Sequence, residues 1–348
     1  MNVGIVGYGS YIPKYRIAVE EIAAAWNQDT NKIKKSLLIE EKSVPSIDQD
    51  SITMAVQAAQ NALIRAAIDK SKIGAIYVGS ESPPYAVKPS ASIIGQALNI
   101  GNNYQAADIE FACKAGTAAL QICNSLIKSK EINYAIAIGT DTAQAKPGDI
   151  LEYSAGAASA AFILGNNQDE IVATIDKTLS FTSDTPDFWR RELEKFPQHA
   201  GRFTGEQAYF KHIINATEEI LSQTNLKQSD FDYAIFHQPN GNFPIQAAKK
   251  LGFKNEQILP GLLVTKIGNS YSASSLLSLT AILDIAKENQ KILLTSYGSG
   301  SGSDAFVFTV TKNIEKKQNF ALKTVDYINN KKYINYSVYK KYIESYQN

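Results

Sequence analysis

Cys113 places a nucleophilic side chain where a cysteine is often reactive. It lies between a strand-like run and a helix of small residues, within the segment 107–123. Unpaired backbone N–H groups and the macrodipole at a helix start favour an anion, so the position predicts a thiol that ionises near neutral pH and reacts as a thiolate. The alternative is a buried cysteine that acts only as a small hydrophobic residue. Position alone does not separate the two.

An internal repeat supplies the elements that would position this thiol. Segments 71–79, 113–120 and 134–139 align with 229–237, 269–276 and 292–298 at offsets of 156 to 158 residues. The near-constant spacing predicts duplicated halves, and helices interleaved with apolar strands predict α/β units. We place the first half at 1–166, the second at 167–312, and a basic Tyr/Lys-rich extension at 313–348.

The repeat also indicates which side chains would share a site. Cys113 would face Asn269, and His237 would occupy the strand end equivalent to Gly79, two residues before Glu81. Sites in α/β proteins form at strand ends and helix starts. A thiol, an imidazole, an amide and a carboxylate together meet the needs of nucleophilic catalysis by cysteine. Taken alone, His237 would be a structural histidine and Glu81 a solvated loop residue.

Composition argues against several other classes of protein. The 348 residues carry a net charge of +1, and no run is long enough to span a bilayer. Cys123, ten residues beyond Cys113, is predicted to be core, and two cysteines without a disulfide indicate a reducing, cytoplasmic setting. His199 and His212 are predicted to be structural or solvent-facing, so no metal site is expected.

The extension carries a concentrated positive charge. Residues 312–348 contain eight lysines and three acidic residues, which gives +5 there and leaves −4 elsewhere. Lysine interleaved with aromatic residues can bind single-stranded nucleic acid, but this footprint is confined to one short segment without arginine. A surface-packed or partner-docking extension is therefore favoured over a nucleic-acid surface. Its tyrosines are Tyr327, Tyr333, Tyr336, Tyr339, Tyr342 and Tyr346.

Several motifs together resemble the thiolase superfamily and, within it, the archaeal-type hydroxymethylglutaryl-CoA synthases. The resemblance covers nearly the whole chain and implies an α/β, thiolase-like fold of two duplicated halves in a five-layered αβαβα arrangement. Its segments are GSESPPYAVKP (79–89), EFACKAGTA (110–118), GTDTAQ (139–144), SDTPDFWRR (183–191), GRFTGE (201–206), FHQPNG (236–241), GNSYS (268–272) and SYGSGSGSDAF (296–306).

The resemblance implies a Claisen-type condensation without decarboxylation, early in the mevalonate pathway. Cys113 would accept the acetyl group of acetyl-CoA, and Glu81 would remove a proton from its methyl. His237 would hold the ketone oxygen of acetoacetyl-CoA and exchange protons with it, and water would release 3-hydroxy-3-methylglutaryl-CoA. A methyl beside a thioester is a weak acid, so the base needs a raised pKa and the enolate needs donors, here the Cys113 N–H and one N–H of the turn 298–302. No cofactor is implied.

Glu81 separates this function from its nearest rival. Enzymes like ketoacyl synthase III use Cys, His and Asn but form the carbanion by decarboxylation, and so need no such base. A non-catalytic acyl-CoA-binding or assembly subunit would keep the fold without turnover. A papain-type hydrolase shares residue types with this chain, but neither their order nor the duplicated α/β layout.

The resemblance also assigns contacts with the substrate. Around the acyl group and pantetheine these are Asp29, Ser154, Thr204, Asn269 and Ser299. Arg202 would lie near the CoA nucleotide, where a planar guanidinium suits a phosphate. The chain departs from the family where Asn242 and Gln246 replace basic residues. This loss should weaken CoA binding or shift it to Lys249, Lys250 or Lys266.

Related archaeal enzymes work as homodimers and associate with an acetoacetyl-CoA thiolase through a small acyl-CoA-binding scaffold protein. The resemblance implies the same partners for this chain, with a docking role for the extension. It implies no association with nucleic acid or membrane.

Overall fold

A long central ladder of strands organises the chain. The computed structural model describes residues 2–345. Its strands are β1 (Gly4–Tyr11), β2 (Tyr15–Ala18), β3 (Glu41–Val44), β4 (Ile73–Gly79), β5 (Gln105–Ile109), β6 (Tyr134–Thr142), β7 (Ala157–Gly165), β8 (Ala173–Thr182), β9 (Phe188–Trp189), β10 (Gln198–His199), β11 (Tyr233–Phe236), β12 (Lys291–Thr295), β13 (Gly302–Val310) and β14 (Lys332–Tyr333).

Helices follow most of these strands. They are α1 (Val19–Ala25), α2 (Thr30–Leu37), α3 (Ser51–Ala66), α4 (Ser90–Leu98), α5 (Ala115–Lys128), α6 (Lys211–Thr224), α7 (Asn242–Leu251), α8 (Asn255–Ile258), α9 (Val264–Ile267), α10 (Ser274–Leu283), α11 (Ile314–Lys317), α12 (Thr324–Asn329) and α13 (Tyr336–Ser345). A π-helical turn, Gly205–Phe210, leads into α6, and a 3₁₀ turn, Ile150–Tyr153, precedes β7. We call the latter the wall turn.

The strand order of the first half recurs in the second. From the centre outward, one side of the ladder runs β1-β7-β6-β4-β5 and the other runs β8-β13-β12-β11. The two sides join where β1 and β8 pair at only two positions, Gly4 with Thr174 and Ile5 with Ala173. The expected duplication therefore appears as one continuous nine-stranded ladder with a narrow junction.

The two sides of the ladder and the helices that cover their faces form five layers, because side chains alternate between the two faces of each strand. In β6, Ala135 and Ala137 face the α5 side while Ile136 and Ile138 face α3 and α4. Strands β12 and β13 likewise divide their side chains between α10 and α6. Helix α10 is apolar and buried almost all round, as a helix of a middle layer must be. The thiolase-like αβαβα arrangement is confirmed.

The extension is packed on the chain itself. Strand β14 pairs in parallel with β2, and Tyr339 of α13 is 2% exposed within a cluster that includes Ile17, Ile22 and Tyr153. This agrees with the surface-packed interpretation as far as residue 345, and Tyr346 lies outside the described residues. Across residues 2–345, no helix combines the length and the apolar character that crossing a membrane requires.

Candidate active site

A cavity of about 280 Å³ opens onto the thiol of Cys113. We call it the Cys113 cavity. Five residues predicted from the sequence line it together with the thiol, and they come from both halves of the chain: Ser154, Thr204, His237, Asn269 and Ser299. Apolar and aromatic side chains form much of the remaining wall, including Leu37, Leu151, Phe188 and Phe243. Such a cavity suits a long, thin ligand with few polar groups.

The Cys113 loop is held in a strained conformation. Ala112 has a φ of +44°, a region that residues with a side chain rarely occupy. Cys113 is 5% exposed, and α5 begins two residues later at Ala115. The prediction of a thiol that ionises near neutral pH is wrong. Burial raises the pKa of Cys113 well above its usual value, and the charges of Glu81 and Asp141 raise it further.

Glu81 lies beside the thiol but faces a second cavity. This cavity, the Glu81 cavity, has a volume of about 210 Å³ and shares Phe188, Tyr271 and Ser299 with the first. The side chains of Glu81 and Cys113 are hydrogen-bonded, and Oε1 of Glu81 is buried without a partner. Burial raises the pKa of Glu81 to about 8, with a further contribution from Asp141.

Asp141 fixes the loop that carries Glu81. Its Oδ1 accepts hydrogen bonds from the Glu81 amide at 2.8 Å and from the Ser82 hydroxyl at 2.7 Å. Its Oδ2 accepts from the amide and hydroxyl of Ser272, at 2.8 and 2.6 Å. One fully buried carboxylate therefore ties the Glu81 loop of the first half to the Asn269 loop of the second.

Asn269 is oriented by its neighbours toward the thiol. Its Oδ1 accepts from the Tyr271 amide at 2.9 Å, which leaves the amide NH₂ to donate to the Cys113 sulfur. Its backbone amide donates to the Ser154 carbonyl at 2.6 Å, so the loop is also tied to the segment after the wall turn. Tyr271 has a φ of +47°, a second strained residue at the site.

His237 is a neutral imidazole at the end of β11. It is 1% exposed, and burial lowers its pKa to about 3. Its amide donates to the Thr295 carbonyl at 3.0 Å, and its carbonyl accepts from the Tyr209 hydroxyl at 2.7 Å. Nδ1 has no partner within the described residues. An imidazole held in this state can donate to a carbonyl oxygen or accept a proton from it.

Two glycines let the loops approach one another. A Cβ on Gly139 would stand 2.4 Å from the Ser272 carbonyl oxygen, and one on Gly116 would stand 2.6 Å from it. Any larger residue at these positions would push the Asn269 loop away from Cys113. The glycines therefore set the spacing between nucleophile and amide.

The other residues predicted to bind CoA do not line either cavity. Asp29 is exposed and caps α2 by accepting from the Lys32 amide, and Arg202 is exposed. Asn242 donates to the carbonyls of Lys35 and Ser36, at 3.2 and 2.6 Å. The rest are exposed on or near α7 and α9: Gln246, Lys249, Lys250 and Lys266, with Lys250 paired to Glu206 at 2.8 Å.

Sequence reasoning missed part of the cavity wall. His199 was expected to be structural or solvent-facing, but it lines the Cys113 cavity and its Nε2 lies 3.1 Å from Asp149. Asp187, also in the wall, accepts from the Tyr297 hydroxyl at 2.7 Å and the Gly300 amide at 2.8 Å. His199 lies on the two-residue strand β10, where no periodic signal exists to find it.

The remaining predictions concern structural residues. Cys123 is fully buried, and its thiol lies 3.6 Å from the Ile136 carbonyl. Both cysteines are free. His212 is buried, with Nδ1 2.7 Å from the Ala208 carbonyl. The described residues contain no group of three or more His, Cys, Asp or Glu arranged to hold a metal ion.

Comparison with known proteins gives a consistent set of relatives. Residues 221–310 match the family model of the 3-oxoacyl-[acyl-carrier-protein] synthase III C-terminal domain. A hydroxymethylglutaryl-CoA synthase of Archaeoglobus fulgidus is 55% identical over 98% of each chain. One from Methanopyrus kandleri is 56% identical over 98% of this chain and 97% of its own. A solved HMG-CoA synthase complexed with CoA is 25% identical, with a TM-score of 0.88 over 98% of this chain and 90% of its own.

Proposed function

Because the chain belongs to the hydroxymethylglutaryl-CoA synthases, thiolase-superfamily enzymes that act on CoA thioesters, we propose that Cys113, Glu81 and His237 carry the steps of that reaction. The observation that carries this assignment is the hydrogen-bonded contact of the thiol with both Glu81 and Asn269. It joins a nucleophile, a base and an orienting amide where the Cys113 cavity and the Glu81 cavity meet.

The first step acetylates Cys113. With its pKa raised, the thiol does not ionise by itself, so Glu81 accepts its proton as the sulfur attacks the acetyl-CoA carbonyl. CoA leaves with a proton, and acetyl-Cys113 remains. Asn269 stabilises the sulfur through its NH₂ group, and the backbone N–H groups of Cys113 and of the turn 298–302 are the proposed oxyanion donors. A Cβ added to Gly298 would stand 3.3 Å from the Lys114 amide nitrogen, so this turn packs closely against the residue that follows Cys113.

The second step forms the carbon–carbon bond. Glu81, with a pKa of about 8, is a stronger base than an ordinary carboxylate and removes a proton from the acetyl methyl. The resulting carbanion attacks the ketone carbon of acetoacetyl-CoA. His237 donates to the ketone oxygen and supplies its proton, and the proton that Glu81 took from the methyl then restores the neutral imidazole, which leaves Glu81 ionised for hydrolysis. Hydrolysis of the Cys113 thioester then releases 3-hydroxy-3-methylglutaryl-CoA for the mevalonate pathway.

Substrate contacts divide between the cavity and the surface. Ser154, Thr204 and Ser299 line the Cys113 cavity and are proposed to contact the acyl group and pantetheine. Arg202, which is exposed outside the cavity, is proposed to lie near the nucleotide, and Asp29, also exposed, remains a proposed contact of the pantetheine. With Asn242 and Gln246 in place of basic residues, Lys249 and Lys266 are the exposed lysines proposed to meet CoA phosphates together with Arg202, since Lys250 is paired with Glu206.

We also propose a homodimer and a cytoplasmic setting. Strand β5 is one of the two edges of the ladder, and its Gln105, Ala106 and Asp108 are exposed, so a second copy can extend the sheet there. Two free cysteines suit a reducing compartment. Association with an acetoacetyl-CoA thiolase through a scaffold protein is part of the same proposal and rests on the family resemblance.

Intact mass after acetyl-CoA, followed by an acetoacetyl-CoA chase, tests the assignment. We expect an acetyl increment on the wild type that the chase removes with formation of hydroxymethylglutaryl-CoA. Cys113→Ala should show no increment, whereas Cys123→Ala, the matched control, should behave as wild type. Acetylation that persists in Cys113→Ala would overturn the role of the thiol. Acetylation without a productive chase would point to a different condensing specificity.

A further inference from the structure

The two cavities that meet at Cys113 differ in chemical character. The Cys113 cavity is mostly apolar and contains the thiol, His237 and Asn269. The Glu81 cavity contains three ionisable side chains, Glu81, Glu110 and Arg190, and two of these, Glu110 and Arg190, are exposed. It therefore reaches the surface by its own route. The Cys113–Glu81 hydrogen bond crosses from one cavity to the other.

The last step of the proposed reaction, hydrolysis of the Cys113 thioester, needs a water molecule and a partner for the carboxylate that forms, and the Cys113 cavity supplies neither once CoA fills it. After condensation, the acyl chain is attached at one end to Cys113 and at the other to CoA, whose pantetheine fills the Cys113 cavity. Hydrolysis requires a water molecule at the Cys113 thioester and produces a carboxylate there. A carboxylate formed in an apolar site is costly unless a cation or several donors receive it.

Arg190 is a cation suited to that carboxylate. Its positive charge acts on Glu81, where it opposes the pKa rise caused chiefly by burial and by Asp141. Within the described residues it forms no ion pair, and its guanidinium donates to the Glu194 carbonyl at 3.3 Å. Several of its donors are therefore free for a ligand, and a guanidinium matches a carboxylate with two parallel hydrogen bonds.

We propose that the Glu81 cavity admits the hydrolytic water while CoA occupies the Cys113 cavity, and that Arg190 binds the carboxylate formed at the thioester. The inference rests on the proposed function. Water oxygen attacks the thioester carbonyl as Glu81 takes one of its protons. The carbon–sulfur bond then breaks, Glu81 returns the proton to the Cys113 sulfur, and the new carboxylic acid loses its own proton to solvent. Thioester and water thus give a thiol, a carboxylate and one proton.

The test separates hydrolysis from the earlier steps. Enzyme acetylated beforehand is mixed with acetoacetyl-CoA and quenched at intervals. Intact-protein mass spectrometry then resolves acetyl-enzyme from the covalent condensation adduct on Cys113. Arg190→Gln is compared with Arg191→Gln, which removes the same charge from the exposed neighbour that does not line the cavity. Arg190→Lys keeps the charge without the planar fork.

We expect Arg190→Gln to slow decay of the adduct by roughly tenfold to a hundredfold, the range of one charge-assisted hydrogen bond. Acetylation and condensation also use Glu81, whose pKa the Arg190 charge lowers, so Arg190→Gln should slow these two steps as well, but by a clearly smaller factor than the decay of the adduct. The adduct should accumulate in this variant alone, and Arg190→Lys should recover part of the rate. Equal decay in Arg190→Gln and Arg191→Gln would overturn the inference while leaving the proposed function intact. Failure of the wild type to form acetyl-Cys113 would instead overturn the proposed function.

Discussion

The sharpest test of Glu81 is to replace it with a group that does not titrate. The raised pKa of Glu81 predicts how both the condensation rate and the free energy of unfolding change with pH. With a pKa of about 8, Glu81 is ionised to about one-tenth at pH 7 and about nine-tenths at pH 9. The condensation rate should therefore rise roughly tenfold over that interval. A carboxylate at its usual value would be fully ionised at both pH values and give a flat profile.

The assay starts from acetylated enzyme, so that ionisation of Cys113 does not contribute to the profile. Acetylation removes the thiol proton that bonds to Glu81, and this bond lowers the Glu81 pKa. The midpoint should consequently lie at or above 8. Condensation is followed by quenched intact mass, and Glu81→Gln should show only a slow rate without pH dependence. A wild-type rate that is constant between pH 7 and pH 9 would refute the assignment of Glu81 as the base.

Stability provides an independent check of the same pKa. A carboxyl group whose folded pKa is raised binds its proton more tightly in the native state, so stability is lost as pH rises from 4.5 toward 8. Glu81→Gln removes this loss and should gain free energy of unfolding at pH 9 relative to pH 5, with an upper limit of about 5 kcal/mol. Urea unfolding of both proteins at the two pH values measures the difference. An equal effect at both would show that the carboxyl is not perturbed.

Two further substitutions test the elements around the site. Lys114→Met leaves the fully buried Asp304 without the ammonium that lies 3.0 Å away, and should cost about 3–5 kcal/mol in urea unfolding, whereas exposed Lys128→Met should change stability little. Tyr339→Phe removes the hydroxyl that accepts from Lys42 at 2.7 Å; because burial lowers the Lys42 pKa to about 7, the cost should be about 1.5–3 kcal/mol at pH 6 and smaller at pH 9. Equal costs at the two pH values would show that Lys42 is not the partner that matters.

The repeat explains why much of the site could be predicted from the sequence. Cys113, His237 and Asn269 lie at the ends or starts of segments whose apolar periodicity and length repeat in both halves. Because these segments align between the halves, the sequence predicted that the three side chains would meet. Glu81 needed the family resemblance, because a glutamate after a strand has no distinctive pattern. Asp141 lies within a recognised motif, yet its role depends on contacts with two loops far away in sequence.

Electrostatic state was harder to predict than position. The helix start suggested an ionised thiol at Cys113, but burial beside Glu81 and Asp141 has the larger effect. His199 was missed because the segment 183–204 contains only two-residue strands, which leave no periodicity to interpret. The sequence could not predict where the charges of the exposed lysines would lie relative to CoA, because nothing in it fixes the direction of a long surface side chain.

The contacts of α13 also bear on when the enzyme can become active during its synthesis. Tyr336 donates to the Glu152 carboxylate at 3.0 Å, and Lys42 bonds both Tyr339 and the Glu152 carbonyl. Glu152 lies in the wall turn beside Leu151, which lines the Cys113 cavity. Because α13 follows every other described element, the ribosome makes it last of them. A nascent chain already containing Cys113, His237 and Asn269 therefore still lacks the support of one cavity wall, and the nucleophile is complete before its enclosure is.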